Sequence, residues 1–162
     1  MIVIVIMGVV YTLIITKLHT VDEQKAPFSL KNMKEKLIKI AKKSGTDVRL
    51  WCFEDCSTCK VYVDKKPFQD VQGFVDDDVH LYRYDYLQGV TDKRQDVLFD
   101  ANGVAQDICF SFGVESSGVS DQVLIVSKGK AYDYTHYLEG VVVYDSLEEL
   151  IAAKEKLIEE VK

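Results

Sequence analysis

A chain of 162 residues, 48% apolar and 28% charged, suits one folded domain with a sizeable core and excludes a disordered or low-complexity protein. Its net charge of −6 argues against a nucleic-acid partner, because such proteins carry a basic surplus. Four cysteines are too few for a disulfide-stapled mini-domain, and the chain is too large to need one, so their clustering points to chemistry or metal.

The first element is the apolar run MIVIVIMGVVYTLIITKL, residues 1–18. Residues 1–16 carry no charge, and eighteen residues of helix span about 27 Å, close to the hydrocarbon core of a bilayer. A cleaved secretory signal would end in a small-x-small site, but TKLHTVDEQ follows. The expectation is therefore a single-pass transmembrane anchor (or uncleaved signal). A buried strand pair turning at Gly8 is the alternative. Lys17 and Lys25 after the span favour a cytoplasmic domain by charge alone. The cysteine chemistry favours an extracytoplasmic one.

Residues 19–28 read as a linker. The spacing of Leu30, Met33, Leu37, Ile40 and Ala41 predicts a helix capped by Ser29 and ended by Gly45, with lysines 31, 34, 36, 39, 42 and 43 on its other side. That face is read as solvated, or as facing anionic lipid. DVRLWCF predicts a strand running into the cysteines. Residues 56–77 are expected to form a helix interrupted near Pro67.

VHLYRYDYLQ predicts a second strand with Tyr82, Tyr84 and Tyr86 on one face. Residues 89–105 read as a Gly-punctuated insertion, and QDICFSFGV as a short helix carrying Cys109. Residues 121–140 predict a hairpin turning at Lys128-Gly129. The last helix carries a Ser146/Glu149 capping box and an apolar stripe of Leu147, Leu150, Ile151, Leu157, Ile158 and Val161.

Three cysteines lie within eight positions: Cys52, Cys56 and Cys59. Cys56-Ser57-Thr58-Cys59 is a CxxC pair, the usual redox or zinc unit. All three spell the CxxxCxxC of radical enzymes, but Thr58 stands where that motif carries an aromatic residue, and the chain is too short for a barrel of βα repeats. With Cys109 they would supply four thiolates for zinc or copper, although a trio that starts inside a strand spreads its sulfurs poorly. The bland reading makes Cys52 and Cys109 buried core residues or a structural pair. His19, His80 and His136 are scattered and suggest no hydrolase. No glycine loop cradles a phosphate, and no cofactor is called for.

The element order, with CxxC where the first strand meets its helix, resembles the thioredoxin family over residues 29–162. LWCFEDCSTCK is similar to that family's strand, approach and Cys-x-x-Cys-Lys, and QVLIVSKGK to its strand ending in a Lys/Gly turn. The resemblance implies an α/β sandwich, a central mixed sheet with helices on both faces. It implies thiol–disulfide exchange on protein thiols and disulfides, with Cys56 as nucleophile and Cys59 as resolving thiol. Glu54, Asp55 and Lys60 would tune the thiol pKa, and Ser57, Thr58, Ser120 and Asp121 would form the substrate groove. Three departures bear on it: GVSDQVLIV lacks the family's cis-proline, Asp55 replaces its usual Trp, and the segment between the second and third strands is longer than usual. The alternative is a non-catalytic binding module with a structural disulfide.

Overall fold

The computed structural model describes residues 27–93, 97–99, 103–137 and 140–161. Helix α1, Met33–Ser44, buries Met33, Leu37 and Ala41, one residue per turn. Lys34 is buried with them, so the lysines do not all face solvent. Gly45 takes φ 68° and donates its N–H to the Ala41 carbonyl, which ends the helix as predicted. The start differs. The Asn32 and Met33 N–H groups donate to the Ser29 carbonyl, and Ser29 N–H donates to Asn32 Oδ1, so Ser29 acts through its backbone.

Four strands form the first sheet: β1 (Val48–Phe53), β2 (Thr58–Val63), β3 (Lys66–Gln72) and β8 (Ile108–Val114), in the order β3-β2-β1-β8. Five form the second: β4 (His80–Asp85), β5 (Gly89–Asp92), β9 (Leu124–Ser127), β10 (Lys130–Asp133) and β11 (Val142–Tyr144), in the order β11-β10-β9-β4-β5. A small hairpin pairs β6 (Leu98–Phe99) with β7 (Ala105–Gln106). Helix α2, Leu147–Val161, closes the chain.

Alternation decides what faces what. Val48, Leu50 and Cys52 of β1 point inward with Cys59 and Val61 of β2, and Phe110, Phe112 and Val114 of β8 join them. Arg49, Trp51 and Phe53 point outward with Thr58, Lys60 and Tyr62. Leu81, Ile125 and Tyr134 complete the same core from the second sheet and its flank. The other face of that sheet packs Leu124 and Ala131 against Leu150 of α2. Leu147, Ile151 and Ile158 are half-buried on that helix, whereas Leu157 is exposed.

The expected thioredoxin-like sandwich is therefore corrected. Every strand pairing among the described residues is antiparallel, whereas the expected fold needs a parallel βαβ unit. Residues 58–72, expected as a helix, are the β2–β3 hairpin, and QDICFSFGV is strand β8 rather than a helix. The membrane-anchored, extracytoplasmic placement is corrected too: among the described residues no helix is long and apolar enough to cross a membrane. The segment read as the anchor, residues 1–18, and most of the linker lie outside the described residues, as does His19.

Candidate functional site

The cysteines pair across the expected grouping, Cys52 with Cys59 and Cys56 with Cys109. Cys52 and Cys59 are directly opposite partners of the β1–β2 ladder, with Cα atoms 3.9 Å apart. Between them the chain turns in the loop 54–57, where Glu54 (φ 53°) and Cys56 (φ 64°) take left-handed conformations. Cys109 is the extra residue of a bulge. Cys52 pairs with Phe110 and Phe53 with Ile108, so Cys109 is inserted between two successive register positions and its sulfur reaches the loop that holds Cys56.

The expected CxxC disulfide, Cys56 with Cys59, and the alternative pairing of Cys52 with Cys109 are both replaced. The four sulfurs are consumed in two bridges, so they offer no thiolate set for zinc, copper or a cluster. Cys52, Cys56 and Cys59 have no exposed surface, and Cys109 is half-buried. No helix begins at the motif, so no helix N-terminus stands ready to stabilise a thiolate.

The remaining predicted residues fall into three places. Glu54, Asp55 and Ser57 lie exposed in the loop. Hydrogen bonds from the Ser57 hydroxyl and backbone hold the Asp55 carboxyl below its ordinary value, but no thiol is left there to tune. Thr58 and Lys60 start β2 on the outward face, opposite Phe53 and Trp51. Ser120 and Asp121 sit at the far end of β8. Ser120 bridges Val114, and Asp121 Oδ2 accepts from the Gly113 N–H at 2.9 Å. Five residues of strand, about 16 Å, separate Cys109 from Val114, so the expected substrate groove is not assembled around the cysteines.

What the sequence reading missed is the outer face of the first sheet. An open groove of about 1060 Å³ runs over it, lined by Trp51, Phe53, Tyr62, Leu98 and Phe99 among charged side chains of both signs: Asp47, Arg49, Glu54, Lys60, Asp64 and Lys65. The Trp51 and Tyr62 rings lie 4.6 Å apart at 53°. Tyr62 is diagonal to Trp51 in the register, the position from which a long aromatic can reach it. Burial, and then the nearby Asp70 carboxylate, raise the Tyr62 phenol above its ordinary value, so it remains a neutral hydrogen-bonding group at physiological pH. The signal was present in RLWCF and TCKVYV, whose alternation puts these residues on one face.

A buried ionic cluster lies elsewhere, where α2 crosses β10. Asp133, at 1% exposure, has Lys154 Nζ 2.7 Å and His136 Nε2 3.3 Å from its Oδ2, while its Oδ1 accepts from Thr135 N–H and Oγ1. Lys34 of α1 donates to the His136 carbonyl. The cluster joins both helices to one strand end, an architectural role.

No family model, curated protein or solved structure matches this chain.

Proposed function

We propose that this chain is a binding module, a β-domain whose outer sheet face takes a ligand with flat apolar faces and hydrogen-bonding edges. Sugar rings have that chemistry: their C–H faces stack on aromatic side chains and their hydroxyls meet mixed donors and acceptors. The observation that carries the reading is the Trp51–Tyr62 pair in an open groove edged by charges of both signs. The Cys52–Cys59 bridge lies on the opposite face of the same two strands and fixes their spacing, which limits the ordering cost of binding. Two closed bridges persist where thiols are not kept reduced.

Thiol–disulfide exchange through Cys56 and Cys59 is the competing reading. Exchange needs in-line access to a sulfur, and the buried cysteines and the cross-paired bridges favour a staple. Trp51, the single tryptophan, reports directly on the groove. Its fluorescence should shift saturably with a member of a neutral oligosaccharide panel, and Trp51→Phe with Tyr62→Ala should abolish that binding as read by calorimetry. A silent panel, together with disulfide reductase activity lost in Cys56→Ser, would reverse the order of the two readings.

A further inference from the structure

A groove of about 690 Å³ lies apart from the sheet groove, between the end of β4, the segment after β10 and helix α2. It is lined by three tyrosines and two aliphatic side chains. Tyr84 and Tyr86 come from β4 and the turn that follows it, Tyr137 from the segment after β10, and Leu157 and Ile158 from α2. Tyr84 and Tyr86 share a face by the period of two, and their rings meet edge to face, 5.8 Å apart at 87°. Tyr86 is 81% exposed and Tyr137 66%, so neither ring adds much to the core. The turn is nevertheless held in shape: Asp85 Oδ1 accepts from the Leu87 N–H at 2.8 Å and from the Gln88 N–H at 3.0 Å, which positions Tyr86 between them.

The polar groups of the groove select the ligand. Tyr134, deep in the core, donates its hydroxyl to the Leu30 carbonyl, whereas the hydroxyls of Tyr84, Tyr86 and Tyr137 make no hydrogen bond among the described residues. Burial first, then the Glu155 carboxylate and Tyr86, raise the Tyr84 phenol above its ordinary value, so it stays a donor. Strand β4 has β9 and β5 on its two sides and offers a ligand backbone no open ladder. The groove therefore suits an extended chain that brings apolar rings and carbonyl acceptors but few N–H groups. Proline has that chemistry. It lacks the N–H, its carbonyls stand free in a polyproline helix, and that helix is formed before binding, so little order is lost. An amphipathic helix would instead turn an apolar stripe to the hydroxyls, because its own carbonyls are bonded internally. Charge adds a further condition. Lys154 Nζ, 5.5 Å from the centre of the Tyr84 ring, lies 2.7 Å from Asp133 Oδ2, and His136 Nε2 lies 3.3 Å from the same carboxylate oxygen. Both bases of the groove thus face a buried anion, while Glu155 brings a negative charge to Tyr84 in a chain whose net charge is −6.

We propose that this groove docks a proline-rich segment of a protein partner. Its prolines lie against Tyr84, Tyr86 and Tyr137, its carbonyls accept from their hydroxyls, and a flanking arginine or lysine meets Glu155.

The test is calorimetric titration of the full chain with decaproline carrying one terminal arginine. Two controls of equal length run beside it, an arginine-tailed glycine–serine peptide and an amphipathic leucine–lysine helix. Saturable binding of the proline peptide is expected, at least roughly tenfold tighter than either control and weakened by salt. Tyr86→Ala and Tyr137→Ala should each lower the affinity about fivefold with circular dichroism unchanged, since both rings are exposed. Tyr86→Phe/Tyr137→Phe should keep part of the binding, which separates the rings from their hydroxyls. No saturable binding up to about 1 mM would overturn the proposal. Equal binding of the glycine–serine peptide would reduce the groove to an unselective apolar patch, and tighter binding of the helix would mean a helical partner; either result overturns it. Full affinity in Tyr86→Ala/Tyr137→Ala would place the contact elsewhere and overturn it as well.

Discussion

Cys109, the extra residue of a bulge in β8, is bonded to Cys56 in the β1–β2 loop across a sequence separation of 53 residues. The other bridge, Cys52 to Cys59, spans a separation of 7 and joins strands that the hairpin already holds together. The two bonds therefore act on different scales. One reinforces a local ladder, and the other ties a loop to a strand that arrives much later in the chain.

Chain entropy makes that difference measurable. Closing the longer loop is worth about 4 kcal/mol and the shorter about 2 kcal/mol. Cys56→Ser/Cys109→Ser should thus destabilise the chain roughly twice as much as Cys52→Ser/Cys59→Ala in urea denaturation. Peptide mapping without reductant should recover the Cys52–Cys59 and Cys56–Cys109 pairs. Equal costs for the two double variants would contradict the assignment of a local and a long-range bridge.

Much of the second sheet and both helices were legible in the sequence. Lys128-Gly129 announces its turn, with φ 52° and 71°, and Gly45 and Ser146 mark helix ends. The β2–β3 hairpin was not legible, because Asp64 (φ 50°) and Lys65 (φ 63°) make its turn with no glycine to signal it. Cys59, Val61 and Val63 alternate with Lys60 and Tyr62 there, a strand pattern, but the CxxC spacing and the family resemblance favoured a helix. In β8, Phe110, Phe112 and Val114 carry the same period of two. The disulfide pairing depends on a bulge, which a single sequence does not reveal. The buried Asp133 cluster was hidden because Lys154 reads as an ordinary surface position of an amphipathic helix.

That cluster gives an acid-dependent prediction. Burial alone would raise the Asp133 pKa, but Lys154 and the Thr135 hydroxyl and N–H outweigh it, so the carboxyl titrates below its ordinary value. A depressed carboxylate contributes stability above its unfolded pKa, about 3.9, and loses that contribution as pH falls through the folded value. Lys154→Met would strand the charge and cost about 3–5 kcal/mol at neutral pH. Burial would then dominate and raise the Asp133 pKa, so the stability gap between variant and parent should narrow on acidification. Urea midpoints across a pH series would show it, and a constant gap would refute the coupling.

Trp51 and Tyr62 should be coupled without being essential to the fold. Both lie half-buried on the outer face, so Trp51→Ala should destabilise less than a core truncation such as Leu50→Ala, which costs about 2–5 kcal/mol. A double-mutant cycle should return a coupling of about 0.5–1.5 kcal/mol for the ring pair. Zero coupling would mean that the rings merely neighbour one another, and the groove would lose its organised aromatic wall.

Only the serine half of the Ser146–Glu149 capping box forms in register; the return bond from Glu149 reaches one residue further back. Glu149 N–H donates to Ser146 Oγ at 3.2 Å, but Glu149 Oε2 accepts from the Asp145 N–H at 2.9 Å rather than from that of Ser146. Ser146→Ala should still cost about 1 kcal/mol, since an orphan amide at the helix start loses its acceptor. Glu149→Ala should cost less, because it releases an exposed N–H to water.

The β2–β3 turn should be improvable. Left-handed backbone costs a residue with a side chain about 1–2 kcal/mol, whereas glycine adopts it freely at an entropic cost of about 0.5–1 kcal/mol. Asp64→Asn/Lys65→Gly would supply the sequence that a two-residue turn with positive φ at both positions prefers. Lys65 is exposed, so its loss removes no core contact. A gain of about 0.5–1 kcal/mol is expected in urea midpoints at an unchanged slope. A loss would show that Lys65 contributes more through its side chain, at the edge of the aromatic groove, than its backbone conformation costs.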